Sequence, residues 1–106
     1  MRLTFLSTAV LDLARIRAYI AADDPAAAQR VGKRLSEIMN GLVRLPSLGK
    51  PGRVPNTRES VTPKIGKTVY VVVYRVRVDR VEILRVLSGM RDIDGILEEA
   101  FPEEEN

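Results

Sequence analysis

Two β-branched runs joined by a tight turn constrain this chain more than any other stretch. Thr68 to Val78 and Arg80 to Ser88 are rich in valine, isoleucine and tyrosine and meet around Val78-Asp79-Arg80, the pattern of two paired strands. Successive side chains of a strand point to opposite faces. In the first run Tyr70, Val72, Tyr74, Val76 and Val78 therefore point one way, and Val69, Val71, Val73, Arg75 and Arg77 the other. The all-apolar set is expected to face a helix layer, and the set ending in arginines to face water or a partner.

The N-terminal half supplies that layer. Arg2 to Leu6 is a short strand candidate, followed by Ser7 as a helix N-cap,. Val10, Leu13, Ile16 or Arg17, and Ile20 recur at helical spacing, predicting a helix over residues 8–22 with Asp12, Arg15 and Arg17 on other faces,. Asp23-Asp24-Pro25 stops that helix and opens the next, with aspartate as cap and proline at the first helical position. Ala27, Val31, Leu35, Ile38, Leu42 and Leu45 form the second apolar stripe, so the two helices should pack as an antiparallel hairpin. Pro46 to Gly52 is dense in helix and strand breakers and reads as loop,. Arg58 to Ile65 is a weak strand whose Pro63 suits an edge position or a bulge better than a central strand,. Asp92 can cap a short final helix over Ile93, Ile96 and Leu97,. The order β-α-α-β-β-β, with an optional terminal helix, predicts an α+β fold, one helix hairpin on a mostly antiparallel sheet. A single domain is expected over residues 1–97, followed by a frayed acidic tail over 98–106.

Charge and missing residue types narrow the function. Five of the 14 acidic residues (Glu98, Glu99, Glu103, Glu104, Glu105) lie in the last nine positions and none of the 17 basic ones does, so residues 1–97 carry a net charge of +8. Such a body suits contact with nucleic acid, a nucleic-acid-bound enzyme or an acidic protein. The other reading is a solvated surface that favours arginine. There is no cysteine and no histidine, which excludes thiolate chemistry, serine-histidine triads and histidine-based zinc sites. The longest uncharged run, Leu3 to Leu11, is far short of a membrane span, and no signal-peptide pattern follows it. A cytoplasmic protein is expected.

Gly66-Lys67-Thr68 imitates the end of a phosphate-binding loop, but Val61 stands where a glycine is needed and a strand follows instead of a helix,. The basic residues Arg58, Lys64, Lys67, Arg75, Arg77, Arg85 and Arg91 fall on the strands or their ends, where alternation collects Arg75, Arg77 and Arg85 on one face. These guanidiniums either grip phosphate or carboxylate or keep an open sheet face soluble and unpaired. Asp92 reads as a helix cap, with Arg91 pairing to a carboxylate of the hairpin. Tyr19, Tyr70 and Tyr74 occupy apolar-face positions and read as core with a satisfied hydroxyl.

Several separated stretches, in order, carry a family resemblance. They are Ala18-Tyr19-Ile20-Ala21, Asp24-Pro25-Ala26-Ala27-Ala28, Leu45-Pro46-Ser47-Leu48-Gly49-Lys50-Pro51, Val72-Val73-Tyr74-Arg75-Val76, Val81 to Leu87, and Gly89-Met90-Arg91-Asp92. To about Asp94 the chain resembles the ParE branch of the ParE/RelE bacterial toxins. The resemblance implies a toxin of a type II toxin-antitoxin pair that inhibits DNA gyrase and blocks replication. It also implies a ParD-like ribbon-helix-helix antitoxin that wraps an amphipathic segment over the toxin, in a hetero-oligomer touching operator DNA only through the antitoxin. No cofactor or metal is implied. RelE-like ribosome-dependent mRNA endonucleases use basic sheet residues plus a tyrosine or histidine after the last strand. Here that region reads Ser88-Gly89-Met90-Arg91-Asp92-Ile93-Asp94, and no tyrosine follows Tyr74. A non-enzymatic gyrase inhibitor is therefore preferred, with a RelE-like nuclease, or a non-toxic fold acting only in a repressor complex, as the alternatives. Arg75, Arg85 and Arg91, with the segment Gly89 to Leu97, are the candidates for target contact. Arg58, Arg75, Arg77, Leu11 and Tyr19 are the candidates for antitoxin contact.

Overall fold

The valine-rich runs become β4 (Tyr70–Val76) and β5 (Arg80–Ser88), at the heart of a five-stranded sheet in a computed structural model that describes residues 1–101. The strand order is β1-β5-β4-β3-β2, with β1 (Arg2–Phe5) on one edge and β3 (Arg58–Val61) and β2 (Lys50–Pro51) toward the other. All pairs are antiparallel except β1 with β5, which run parallel from Arg2 opposite Arg80 to Phe5 opposite Ile83. The segment read as pure loop thus holds a 3-10 turn (Pro46–Leu48) and the edge strand β2, so β3 is not outermost. What overrides the breakers is Tyr74. Its buried hydroxyl donates to the Pro46 carbonyl at 2.7 Å and accepts the Gly49 N–H at 2.8 Å, tying that segment to the sheet.

α1 (Ser7–Ala21) and α2 (Pro25–Arg44) form the predicted hairpin, and α3 (Ile93–Ala100) follows β5. Asp24 caps α2 as expected, accepting the Ala27 N–H at 3.1 Å, with Pro25 in the first turn. Asp92 caps α3 in the same way through the Gly95 N–H. Ser7 does not cap α1. Leu6 holds the cap position without a side-chain bond, because its own N–H is held by the Ile83 carbonyl at 2.9 Å and the helix starts directly off the strand.

The hairpin covers one sheet face. Ala9, Val31, Leu35, Met39 and Leu42 pack on Tyr70, Val72, Tyr74, Val81, Ile83 and Val86, each fully buried aliphatic side chain contributing about 1.5–3 kcal/mol. Tyr70, Val72 and Tyr74 face the helices as alternation predicted. The helix stripes are rotated from their predicted phase. Ala9 is buried and Val10 exposed, Ala28 and Met39 are buried where Ala27 and Ile38 are half-buried, and Leu45 is exposed. Adjacent helical positions differ by about 100°, so an apolar count leaves this rotation open and the sheet surface selects it.

The other face departs further from expectation. Val71, Val73, Leu84 and Leu87 do not meet water but form a second core with Ile93 and Leu97 of α3, flanked by Leu6, Val54, Ile96 and Phe101. α3 takes in Glu98 and Glu99; the acidic remainder from Pro102, expected to be frayed, lies outside the described residues.

A β-bulge sits between the cores. Tyr74 pairs with Ile83 but Val73 pairs with Arg85, leaving Leu84 as an extra residue in β5. One inserted residue reverses the alternation beyond it. Val81, Ile83 and Val86 consequently share the hairpin face, while Leu84 and Leu87 share the α3 face. Among the described residues no helix is long and apolar enough to cross a membrane.

Candidate functional site

The arginines are where sequence and geometry part most. Beyond Phe5, β1 no longer covers the edge of β5, and α1 takes its place through two side chains one turn apart. The Thr8 hydroxyl donates to the Leu84 carbonyl at 2.8 Å, and the Asp12 carboxylate accepts the Val86 N–H at 3.0 Å. The same carboxylate accepts two bonds from Arg85, from Nε at 2.7 Å and from Nη2 at 2.9 Å. Asp12, expected on another face than the apolar stripe, is only 2% exposed. Its partner is held firmly: the Asp12 hydrogen bond raises the Arg85 pKa above the usual arginine value.

Arg75 and Arg77 converge on one acid. Glu82, opposite Arg75 in the register, takes Arg75 Nη2 at 2.7 Å, Arg80 Nη2 at 3.3 Å and Arg77 Nε at 3.5 Å. The hydrogen bond from Arg75 is the main cause that holds the Glu82 carboxyl below the usual carboxylate range. Arg58 is half-buried and donates from Nη1 to the Gly49 carbonyl at 2.6 Å, steadying the Pro46 to Pro51 segment. Alternation thus collected Arg75, Arg77 and Arg85 on one face, but their charges are spent internally. Arg91 is the exception. It is exposed and, among the described residues, makes no ion pair, so the expected pairing with a hairpin carboxylate does not form; the buried acid of the hairpin, Asp12, binds Arg85 instead.

A second ion-pair centre went unforeseen. Arg53 grips buried Glu59 with Nε at 2.9 Å and Nη2 at 2.8 Å, adds its backbone N–H at 2.9 Å, and reaches Asp94 of α3 with Nη1 at 2.7 Å. Burial alone would raise the Glu59 pKa, but the bonds from Arg53 outweigh it and the net shift is downward. The sequence carries one signal for such groups: Asp12 stands three residues after Ala9 and four before Ile16, inside the stripe that packs. Nothing comparable marks Glu59 or Arg53.

Leu11 and Tyr19 lie on α1, away from Arg58, Arg75 and Arg77, and the structure does not bring the five together. Tyr19, read as core, is 85% exposed, whereas Tyr70 and Tyr74 are buried as expected. Beside α1 an apolar groove of about 200 Å³ opens between the helices, lined by Leu13, Ile16, Val31, Leu35 and Met39 with Arg17 among its walls. A second cleft, between β5 and α3, is lined by Arg85, Arg91, Ile96 and Glu99. Among the described residues no cluster of acids could hold a metal ion.

The profile of the family described as the ParE toxin of type II toxin-antitoxin systems, parDE, matches residues 3–93, from β1 through the Asp92 cap. The chain belongs to the ParE toxin family. Two relatives agree. Toxin Y4kP of Sinorhizobium fredii is 41% identical over 88 residues, covering 83% of this chain and 88% of its own. Toxin RelE1 of Caulobacter vibrioides is 33% identical over 79 residues, covering 74% and 83%. Among solved structures, one from the chromosomal ParDE toxin-antitoxin system of P. aeruginosa superposes with a TM-score of 0.68 at 24% identity, covering 83% of this chain and 95% of that one. This likeness bears on the fold, the α+β RelE/ParE-like arrangement expected from the sequence. As a ParE-family member the protein is a toxin of a type II toxin-antitoxin system. The matched span includes Asp12, Glu82, Arg85 and Arg91, while most of α3 lies beyond it.

Proposed function

We propose that this ParE-family toxin acts in the cytoplasm by binding DNA gyrase and blocking replication, without catalysing a reaction of its own. The observation that carries this reading is the engagement of the sheet arginines. A ribonuclease needs cations free to meet a phosphorane and a group to move a proton. Arg75, Arg77 and Arg85 are instead bound to Glu82 and Asp12. The chain has no histidine, and burial raises the pKa of both Tyr70 and Tyr74. A protein whose sheet arginines are paired and whose strand tyrosines are buried suits binding better than acid-base chemistry.

The partner in this reading is a ParD-like ribbon-helix-helix antitoxin whose amphipathic segment lies in the groove between α1 and α2, a helix-in-groove mode. The apolar lining of that groove supports the placement; Leu11 and Tyr19 are exposed on other faces of α1 and form no part of that lining. Arg58, Arg75 and Arg77 would then offer the antitoxin only their outer edges. The complex is a hetero-oligomer, and operator DNA is met through the antitoxin.

One observation favours a second reading: a relative 33% identical carries the name RelE1, and the RelE-like function is ribosome-dependent mRNA cleavage. A supercoiling assay with purified gyrase, with and without antitoxin, separates the two. Lost supercoiling with trapped cleaved DNA, reversed by antitoxin, is the expected result. Unimpaired gyrase would overturn it, and expression in growing cells would then divide mRNA cleavage from a non-toxic fold.

A further inference from the structure

Between Glu59 and Asp79 the chain contains no carboxylate. This stretch includes the connection from β3 to β4, whose tip is a two-residue turn at Gly66-Lys67. Ile65 and Thr68 exchange both backbone bonds across it, at 2.9 and 3.4 Å, and Gly66 has φ +64°, the left-handed conformation such turns require at their first central residue. The turn projects Lys67, with Lys64 on its incoming arm; both are exposed. The Thr68 hydroxyl lies 3.7 Å from the Met90 sulfur, and the Gly89 N–H donates to the Val69 carbonyl at 2.9 Å. These contacts bring Arg91 to the same end of the sheet.

Three cations thus meet around exposed apolar side chains. Met90 is 84% exposed, Val61 53% and Val69 37%. Val61 pairs with Val71, and Val69 shares its alternation phase, so the strip continues the second core past the point where α3 stops covering it. Lys64, Lys67 and Arg91 make no ion pair among the described residues. An apolar centre with a charged rim, including methionine and arginine, is the anatomy of a protein interface. No exposed aromatic ring stands here to stack a base, since Tyr70 and Tyr74 are buried, which disfavours a single-stranded nucleic acid.

We propose that the strip of Val61, Val69 and Met90, bordered by Lys64, Lys67 and Arg91, is the surface that grips the target protein, taking an acidic segment with an apolar side chain as its anchor. The proposal rests on the gyrase reading for the identity of that target. It moves target contact away from Arg75 and Arg85, whose charges are neutralised, and keeps Arg91. The strip lies on the α3 face and the apolar groove on the hairpin side, so the two can be altered independently.

The test compares the wild-type chain with the K64E/K67E/R91E and Met90→Ser variants, in which every altered side chain is exposed. Affinity for purified gyrase, affinity for the cognate antitoxin, binding to naked DNA and growth arrest on expression are measured for each. Expected is a loss of gyrase affinity and of arrest by about tenfold or more for the triple variant, a smaller loss for Met90→Ser, and unchanged antitoxin affinity, which also shows that both variants fold. Gyrase affinity equal to wild type in both variants would overturn the strip while leaving the gyrase reading in place. If the wild type arrests growth without binding gyrase, the gyrase reading fails, and arrest by the variants decides the strip: lost arrest supports it, retained arrest overturns it. A loss confined to naked DNA binding overturns it in favour of a nucleic-acid surface. A wild type that neither binds gyrase nor arrests growth overturns both.

Discussion

Arg85 and Asp12, 73 positions apart, are locked together by two hydrogen bonds of 2.7 and 2.9 Å, and the same carboxylate accepts the Val86 N–H at 3.0 Å. The side chains are 12% and 1% exposed. One acid therefore closes the open edge of β5, neutralises an arginine turned out by the bulge and pins α1 to the sheet. Such a pair is weak evidence for net stability, but removing one partner strands the other without water.

Asp12→Ala is accordingly expected to cost about 3–5 kcal/mol, a large share of the total for a domain of this size. Arg85→Ala should cost less, because Asp12 keeps the Val86 N–H. Urea denaturation of both variants and of the double variant checks this: costs that simply add would mean that the two groups do not act as a unit.

Acid should weaken the fold. Glu59 and Glu82 have folded-state pKa values below the ordinary carboxylate value, so between the two values the unfolded chain binds more protons than the folded one. Their stabilisation is complete above the ordinary value of about 4.3 and is lost as pH falls through the lower folded values. Melting temperatures recorded from pH 7 to pH 3 should fall in the acid limb. Glu59→Gln should lower stability at neutral pH by about 1–3 kcal/mol and flatten that limb; an unchanged slope would remove Glu59 from the explanation.

Tyr74→Phe should loosen the segment from Pro46 to Pro51, costing about 1–3 kcal/mol for the two partners left unpaired. Gly49→Ala tests the same junction from the other side, since an added Cβ would meet the Tyr74 hydroxyl at 2.5 Å and the Glu59 carbonyl at 2.9 Å. It should destabilise by a similar amount. Hydrogen exchange at Gly49 provides the local readout, with faster exchange expected in Tyr74→Phe.

Charge reversal should separate structural from exposed arginines. Arg75→Glu places a carboxylate directly opposite Glu82 and is expected to cost about 1 kcal/mol or more, a fall of about 4–8 °C in Tm. Arg91→Glu, exposed and unpaired among the described residues, should leave Tm within about 2 °C while reducing growth arrest. Equal melting losses for both would contradict the assignment of Arg75 to the sheet and Arg91 to the surface.

Local rules carried much of this fold. The alternation of Tyr70, Val72 and Tyr74, the span of β5, the Asp24-Pro25 start of α2 and the Asp92 cap of α3 were all legible, because each depends on neighbours within a few positions of the chain. Family membership was legible too, through ordered short stretches that need no coordinates to compare. What only the tertiary structure decided depends on partners distant in sequence: the rotation of α1 that buries Asp12, the extra residue at Leu84, the covering of Val71 and Val73 by α3, and the locking of Arg85 by Asp12. A strand period shows which arginines share a face. Whether an arginine is free to meet a partner depends on where the nearest carboxylate ends up. Asp12 reaches Arg85 across 73 positions only through the packing of α1 on the sheet, while Glu82 and Glu59 meet Arg75 and Arg53 through the strand register and the fold of the chain between β2 and β3.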